Sequence, residues 1–341
     1  MTPERFRQIT GRYAGLRVAV VGDFCLDRYL EIDPARGEIS IETGRPVHNV
    51  VRVRSQPGAA GTILNNLEAL GIGTILPVGF CGDDGEGYEL LQALRRQRGV
   101  RLDFFTQTEQ RRTFTYCKPL LLHPGHPPEE LSRLDSKNWS PTPDELQEKL
   151  IASLRTAAGQ SDAIILMDQV DVAETGVVTT RMLEAVRELA LERNTLLMLG
   201  DSRRGLRAWP PVSLKMNGAE LAALTGASRS LSLEQVMEAA AKLAGESGRP
   251  VFVTLAERGI VGATPGVASI HAPSQPLRGP IDVVGAGDAV TASLTAALSA
   301  GASTGEALLL AMTAASIVIH QLGTTGTASV AQMAGLLPSA E

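Results

Sequence analysis

Short, continuous apolar runs recur along this chain, separated by longer stretches in which apolar residues return every third or fourth position. Runs such as Arg17 to Asp23, Thr74 to Cys81, Ala163 to Met167, Leu196 to Leu199 and Val251 to Leu255 are apolar on both sides of the backbone. That is the signature of strands buried on both faces of a parallel sheet. Between them lie amphipathic helical patterns at Pro143 to Ala158 and Gly176 to Arg193, and a helix expected to run from Gln56-Pro57-Gly58-Ala59-Ala60-Gly61 to Gly71. Repeated strand and helix units of this kind predict an α/β fold with right-handed crossovers and helices on both sides.

Two stretches break the rhythm. Tyr29 to Gln56 is charged and loosely alternating, with Val47, Val50, Val51 and Val53 suggesting a short antiparallel piece, and Leu102 to Leu122 contains Thr113-Phe114-Thr115-Tyr116-Cys117. Both predict half-exposed strands set apart from the main sheet. Pro124 to Pro143 is proline-rich and polar and reads as a surface loop.

Composition narrows the function classes. The 341 residues carry a net charge of −5, with 44% apolar and 20% charged residues, and this balance argues against a general nucleic-acid or membrane surface. Cys25, Cys81 and Cys117 are odd in number and widely spaced, which suggests neither a disulfide framework nor a zinc site. With no apolar run of membrane-spanning length, a cytoplasmic protein acting on a small neutral or anionic metabolite is expected.

The chemistry concentrates at Asp282-Val283-Val284-Gly285-Ala286-Gly287-Asp288, followed by the small, apolar helix from Ala289 to Ala300. Gly285, Ala286 and Gly287 expose backbone N–H groups where a helix begins, and the helix dipole adds to their attraction for an anion. Asp288 in the first turn is placed to take a proton from a hydroxyl attacking a phosphate held there. The same residues would also serve as a tight turn with an N-terminal acidic cap. Other polar residues fall at the carboxyl ends of strands, where open α/β sheets bind ligands: Asp23, Asp27, Asp168, Asp201, and Asn217 with Glu220 after Lys215-Met216. Asn217 and Glu220 have the spacing of a capping box as well. No Gly-Lys pair occurs anywhere, so any nucleotide is held without a P-loop.

Taken in order, Gly22 to Asp27, Pro57-Gly58-Ala59-Ala60, Asn217 to Glu220, Val253-Thr254 to Gly259 and Asp282 to Asp288 resemble the ribokinase, or PfkB, family of sugar kinases, from about Arg17 onward. The resemblance implies a ribokinase-like three-layer α/β sandwich in a single domain over residues 1–341, with a small β lid from segments 29–56 and 102–122. It implies ATP-dependent phosphorylation of a sugar or sugar-phosphate hydroxyl, with Asp288 as base and Gly285, Ala286 and Gly287 as anion hole. Asn217 and Glu220 would serve the phosphates and Mg²⁺ through water, Thr254 and Gly259 the nucleotide, and Asp27 and Gly58 the sugar. A K⁺ site would use Asp282, Val284, Val318, Gln321 and Gly323, and a homodimer would form through the lid.

Within the family, the Gly22 to Tyr29 start, Arg133-Leu134-Asp135 and the Ala314 to Thr324 ending look most like the kinase half of bifunctional ADP-heptose synthases, whose acceptor is a heptose 7-phosphate. The chain departs from them where Asp168-Gln169-Val170-Asp171 and Asp201-Ser202-Arg203 replace segments that end in lysine, and where Val283 and Val284 replace a Thr or Ser. The nucleotidyltransferase half is expected to be absent. Two other readings stand beside this one: a nucleoside or vitamin-like alcohol kinase, and a non-catalytic sugar or nucleotide sensor on the same scaffold. The scarcity of aromatic residues to stack on a base favours a sugar over a nucleoside, and retention of a proton acceptor at Asp288 speaks against a sensor.

Overall fold

Strand β1 (Arg17–Gly22) lies inside a nine-stranded sheet because its residues Val18 to Val21 are wholly buried, as both faces carry helices. The computed structural model describes residues 1–227 and 231–336; residues 228–230 and 337–341 of the expected 1–341 domain lie outside the described residues. In chain order the strands are β1, β2 (Phe24–Ile32), β3 (Glu38–Ile39), β4 (Pro46–Val47), β5 (Val50–Ala59), β6 (Thr74–Gly82), β7 (Phe105–Thr108) and β8 (Phe114–Leu121). They continue as β9 (Glu129–Glu130), β10 (Ala163–Asp168), β11 (Leu197–Ser202), β12 (Ser213–Asn217), β13 (Val251–Thr254), β14 (Ile260–Ala263) and β15 (Ile270–Ala272). The helices are α1 (Pro3–Thr10), α2 (Ala60–Leu70), α3 (Gly85–Arg95), α4 (Asp144–Ala158), α5 (Thr180–Glu192), α6 (Gly218–Thr225), α7 (Leu233–Ser247), α8 (Ala286–Ser299), α9 (Thr304–Val318) and α10 (Val330–Ala334).

The large sheet runs β15-β14-β13-β12-β11-β10-β1-β6-β7, parallel from β13 to β7 and antiparallel only at β14 and β15. Helices α4 to α7 cover one face, and α1 to α3 with α8 to α10 cover the other. Helix α4 shows why: Leu146, Leu150, Leu154 and Ala157 repeat at helical spacing and turn one buried stripe to the sheet. Helix α8 is buried almost all round, from Ala289 to Ala297, since it lies under both α2 and α9. Helices on both sides of a mostly parallel sheet are what the alternating runs predict, and the three-layer arrangement is the one the family resemblance implies.

Strand order reverses beside β1, whose neighbours are β6 on one side and β10 on the other, so a crevice opens there at the carboxyl ends of the strands. Over that crevice sits a four-stranded sheet in the order β5-β2-β8-β9. One residue, Asp23, separates β1 in the large sheet from β2 in the small one. Its N–H donates to the Met167 carbonyl and its own carbonyl accepts from Ala60 N–H, at 3.1 and 3.0 Å. The root of the small sheet is tied to α3 as well: Arg28 meets Glu89 at 2.8 Å and Glu86 at 3.6 Å, and the Ser55 hydroxyl donates to Glu89 at 2.6 Å.

The second expected lid segment divides. Residues 102–104 form a 3₁₀ turn, β7 extends the large sheet beside β6, and only β8 enters the small one. Alternation alone cannot distinguish an edge strand of a large sheet from a strand of a separate one. The loop expected from Pro124 to Pro143 contributes the two-residue strand β9 against β8.

Candidate active site

Two helix N-termini open on the crevice. Residues Ala59 and Thr62 at the start of α2, and Gly285 and Asp288 at the start of α8, line one cavity of about 310 Å³ together with Asp27 of β2. Gly285 is the N-cap of α8 with φ +82°, and a Cβ there would stand 2.6 Å from Thr325 Cγ2, so the position requires glycine. The N–H groups of Gly285, Gly287 and Asp288 have no acceptor among the described residues, as expected for a first helical turn. Ala286 differs from the expectation: its N–H donates to the Val283 carbonyl at 3.2 Å and closes the turn.

Asp288 lines the cavity, and its carboxyl is pushed up to about 7 by loss of water around it and by the negative charge of Asp201, with Lys215 opposing and Asp27 adding. A carboxylate poised near neutrality is suited to general-base work. Asp27 is buried; burial raises its pKa, while Lys118 and Arg133 pull it back. Behind it stands Gly58, where a Cβ would meet Asp27 Oδ2 at 2.7 Å and Cys25 Sγ at 2.8 Å. Gly58 therefore backs the Asp27 carboxylate rather than lining the cavity. The Thr325 hydroxyl is buried at the cavity wall beside Asp27, whose carboxyl it helps to hold down.

The opposite wall is cationic. Lys118 of β8, Arg133 and Lys137 of the following loop, and Arg203 after β11 all line the cavity, against Asp27, Asp135 and Asp288. Arg133 pairs with Asp135 at 3.3 Å, and Asp171 holds both Lys137 at 2.7 Å and Arg203 at 3.4 Å. Tyr116 lies between Arg133 and Lys137, whose charges sit 5.1 and 5.8 Å from its ring centre. Lys118 rests over Tyr29.

Residues 17–331 match the description pfkB family carbohydrate kinase. The chain belongs to this family. Among sequence relatives, it is 32% identical over 323 residues to the bifunctional protein HldE of Hyphomonas neptunium, covering 94% of this chain and 63% of that one. It is 30% identical over 316 residues to HldE of Hahella chejuensis, with 92% and 62% covered. The chain thus spans less than two thirds of the length of these relatives. Among solved structures, Arabidopsis thaliana ribokinase complexed with ribose and ATP superposes with a TM-score of 0.64 at 21% identity, covering 93% of this chain and 95% of that one. Escherichia coli phosphofructokinase-2 in complex with potassium gives 0.69 at 16% identity, covering 94% and 98%. These two likenesses show the fold.

Of the remaining expected site residues of this pfkB-family kinase, Val284 lines the cavity and the others do not. Asn217 and Glu220 form a reciprocal capping box at the start of α6, at 2.9 and 2.7 Å, and burial raises the Glu220 pKa against the Asn217 N–H bond. Thr254 is the register partner of Asn217 on β13, and Gly259 closes the turn into β14. Asp282 caps its own loop by accepting from Val284 N–H and donates its N–H to the Ile319 carbonyl, so the loop before α8 touches the end of α9. The Val318 carbonyl accepts from Gln321 N–H, the Gln321 side chain bonds the Thr327 backbone, and Gly323 turns with φ +70°.

Asp23 and Asp168 have structural work instead. Asp23 accepts from the N–H groups of Gln169, Val170 and Val177 at 2.8, 3.2 and 2.7 Å, fixing the loop that brings Gln169 to the cavity. Asp168 is paired with Arg204 at 2.9 Å and Ser202 at 2.7 Å, and burial beside Asp23 lifts its carboxyl to about 6. Asn66 donates to the Thr62 carbonyl inside α2, and Asn65 to the Pro57 carbonyl. Sequence reasoning missed Lys118, Lys137 and Lys215. For Lys118 a signal existed: Tyr116 and Lys118 share a face of β8, and Asp27 pairs in register with Tyr116.

Among the described residues no helix is long and apolar enough to cross a membrane, and no three His, Cys, Asp or Glu side chains converge as metal ligands.

Proposed function

We propose that this kinase transfers the γ-phosphoryl group of ATP to a hydroxyl of a sugar that already carries a phosphate, a heptose 7-phosphate being the acceptor the resemblance favours. The observation that carries this reading is the cavity wall itself. Four cations converge on a space that also holds Asp27 and Asp288. A neutral sugar is recognised by hydroxyl-bonding groups, whereas a dianion is matched by Lys and Arg.

In this reading the acceptor lies with its phosphate toward Lys118, Arg133, Lys137 and Arg203. Asp27, backed by Gly58, accepts from a sugar hydroxyl and Thr325 bonds another. Asp288 takes the proton of the reacting hydroxyl, whose oxygen forms the new bond to the γ-phosphorus. The bond to the bridging oxygen breaks, and its electron pair leaves with ADP. The free N–H groups of Gly285 and Gly287, with the α8 dipole, face the charge on the migrating group, and Ala286 holds the turn that presents them. Thr254 and Gly259 flank the nucleotide.

A Mg²⁺ ion fits this donor set only as a partner of the nucleotide's phosphates, reaching Glu220 beside Asn217 through water, since no protein cage of three ligands is present among the described residues. When bound it neutralises phosphate charge. The loop made by Asp282, Val284, Val318, Gln321 and Gly323 is the proposed K⁺ position, supported by the contact between Asp282 and Ile319. Two copies would pair through the small sheet and the adjoining β3–β4 hairpin, where Val50, Val51 and Val53 of β5 and Ile39 and Ile41 of the hairpin are exposed; sedimentation of a Val51→Glu/Val53→Glu variant as a monomer is the expected result.

The main test is ADP release measured across free and phosphorylated pentoses, hexoses and heptoses, with and without K⁺. Two charge-assisted bonds of about 1.5 kcal/mol each predict a preference of roughly 100-fold in kcat/KM for phosphorylated acceptors. Lys118→Gln/Arg203→Gln should erase that preference and leave the KM for ATP unchanged. Equal turnover of free and phosphorylated sugars would refute the assignment of the cationic wall.

A further inference from the structure

Beneath the loop at the start of α8 lies a buried charge pair that no role has yet absorbed. The Lys215 ammonium at the end of β12 donates to Asp201 Oδ2 of β11 at 2.8 Å, and both side chains are about nine-tenths buried. The Thr291 hydroxyl of α8 stands 3.1 Å from the same Asp201 oxygen and 3.1 Å from the Gly287 carbonyl. Three elements therefore meet at one carboxylate. An ammonium has three donors, and Lys215 spends only one on a partner among the described residues. Its nitrogen lies 3.1 Å from where a Cβ on Gly287 would stand, so the charge sits against the turn that precedes Asp288.

We propose that Asp201, locked by Thr291, is a positioning residue that aims the Lys215 ammonium at the phosphoryl loop and sets the charge felt by Asp288. This rests on the kinase reading of the same site. Asp201 does not line the cavity; it acts on Asp288 through its own charge and through the Lys215 ammonium that it holds. Thr291, one turn after Gly287 on α8, ties the orientation of the pair to the helix whose first turn faces the cavity. The Thr291 bond to the Gly287 carbonyl is the ordinary helical contact that Thr295 and Thr313 also make; what packing alone would not need is its second contact, to Asp201, and a cation turned toward Gly287. The groups facing Asp288 from neighbouring elements are Asp201, Lys215, and Asp27 and Cys25 of β2; Glu220 of α6 faces Lys215. Burial alone would lower the Lys215 pKa, yet the charge and hydrogen bond of Asp201, with Asp288 and Glu220, hold it above its ordinary value.

The experiment compares wild type with Asp201→Asn, Thr291→Val and Thr291→Ser. In ligand-free protein labelled with ¹³C at aspartate carboxyls, the Asp288 titration midpoint is expected to fall by about one pH unit in Asp201→Asn. A smaller downward shift is expected in Thr291→Val, where Asp201 is free to rotate, and none in Thr291→Ser. In steady-state assays kcat should fall roughly 10- to 100-fold in the first two variants, with the KM of the acceptor unchanged, and Thr291→Ser should restore it. If both variants lose thermal stability while the Asp288 midpoint and kcat stay at wild-type values, the pair is only a packing element and the proposal is overturned. Should Asp201→Asn fail to fold, the Thr291 pair decides alone. If wild type phosphorylates no acceptor, the kinase reading fails, whereas the carboxyl titration still tells whether Asp201 and Thr291 govern Asp288.

Discussion

Replacing Asp288 by asparagine keeps the shape of the side chain and deletes its charge, and the structure makes the consequence for stability calculable. The folded protein lifts this carboxyl from 3.8 to about 7, an increase of about three units. Each unit corresponds to about 1.4 kcal/mol. Between those two values the folded chain holds a proton that the unfolded chain has released, so wild-type stability falls as pH rises through this window and levels off above it. At pH 8.5 the penalty reaches about 4 kcal/mol, an upper limit because cavity water reaches the carboxylate; at pH 5 it is about 1.5 kcal/mol. Asp288→Asn should therefore be more stable than wild type by these amounts, while kcat falls by about 10³ or more. Urea denaturation of both proteins at pH 5 and pH 8.5 measures the difference, which should widen by about 2.5 kcal/mol between the two. Equal gains at both pH values, or a wild type more stable at pH 8.5, would refute the view that Asp288 is a carboxylate held ionised against its surroundings for chemistry. The same shift places the acid limb of wild-type kcat/KM near pH 7.

Other perturbations test the frame around that residue. Ala59 occupies φ +54° and ψ −116° at the cavity edge, so Ala59→Gly should raise stability by about 1 kcal/mol in urea denaturation. Gly285→Ala forces a methyl against Thr325 at a positive φ; a loss of about 1–2 kcal/mol, with reduced phosphoryl transfer, is expected from the same denaturation and an ADP-release assay. Asp23→Asn presents an amide to N–H groups that now share a carboxylate, which should loosen the loop that carries Gln169 and raise the acceptor KM in an ADP-release assay.

The large sheet was legible because β1, β6, β10 and β13 are buried on both faces and read as unbroken apolar runs. The turn at the start of α8 was legible for a different reason: Gly285, Ala286, Gly287 and Asp288 are contiguous, so their placement at one cavity edge is local. The cationic wall was not. Lys118, Arg133, Lys137 and Arg203 come from β8, the loop after β9 and the end of β11, and only the crossing of the small sheet over the large one makes them neighbours. A lysine on a strand carries no mark that separates a solvated charge from one aimed at a ligand. Lys215 is the sharper case, since one step of register would have turned its side chain to the opposite face of the sheet, away from Asp201. Asp23 and Asp168 misled for the converse reason: strand-end aspartates sit where ligands bind, and here their oxygens are spent on backbone amides, on Ser202 and on Arg204.

The single-residue joint between β1 and β2 has a mechanical consequence. Asp23 is pinned through its N–H, its carbonyl and both carboxylate oxygens, and five residues later Arg28 is anchored to α3. A cover fastened so tightly at its root cannot swing as a rigid flap. Bending is left to the outer half, past Tyr29 and Arg54 toward the short hairpin of β3 and β4, which sheds few contacts when it moves. Asp27, between that joint and Arg28, consequently keeps its place at the cavity while the rim is left free to bend.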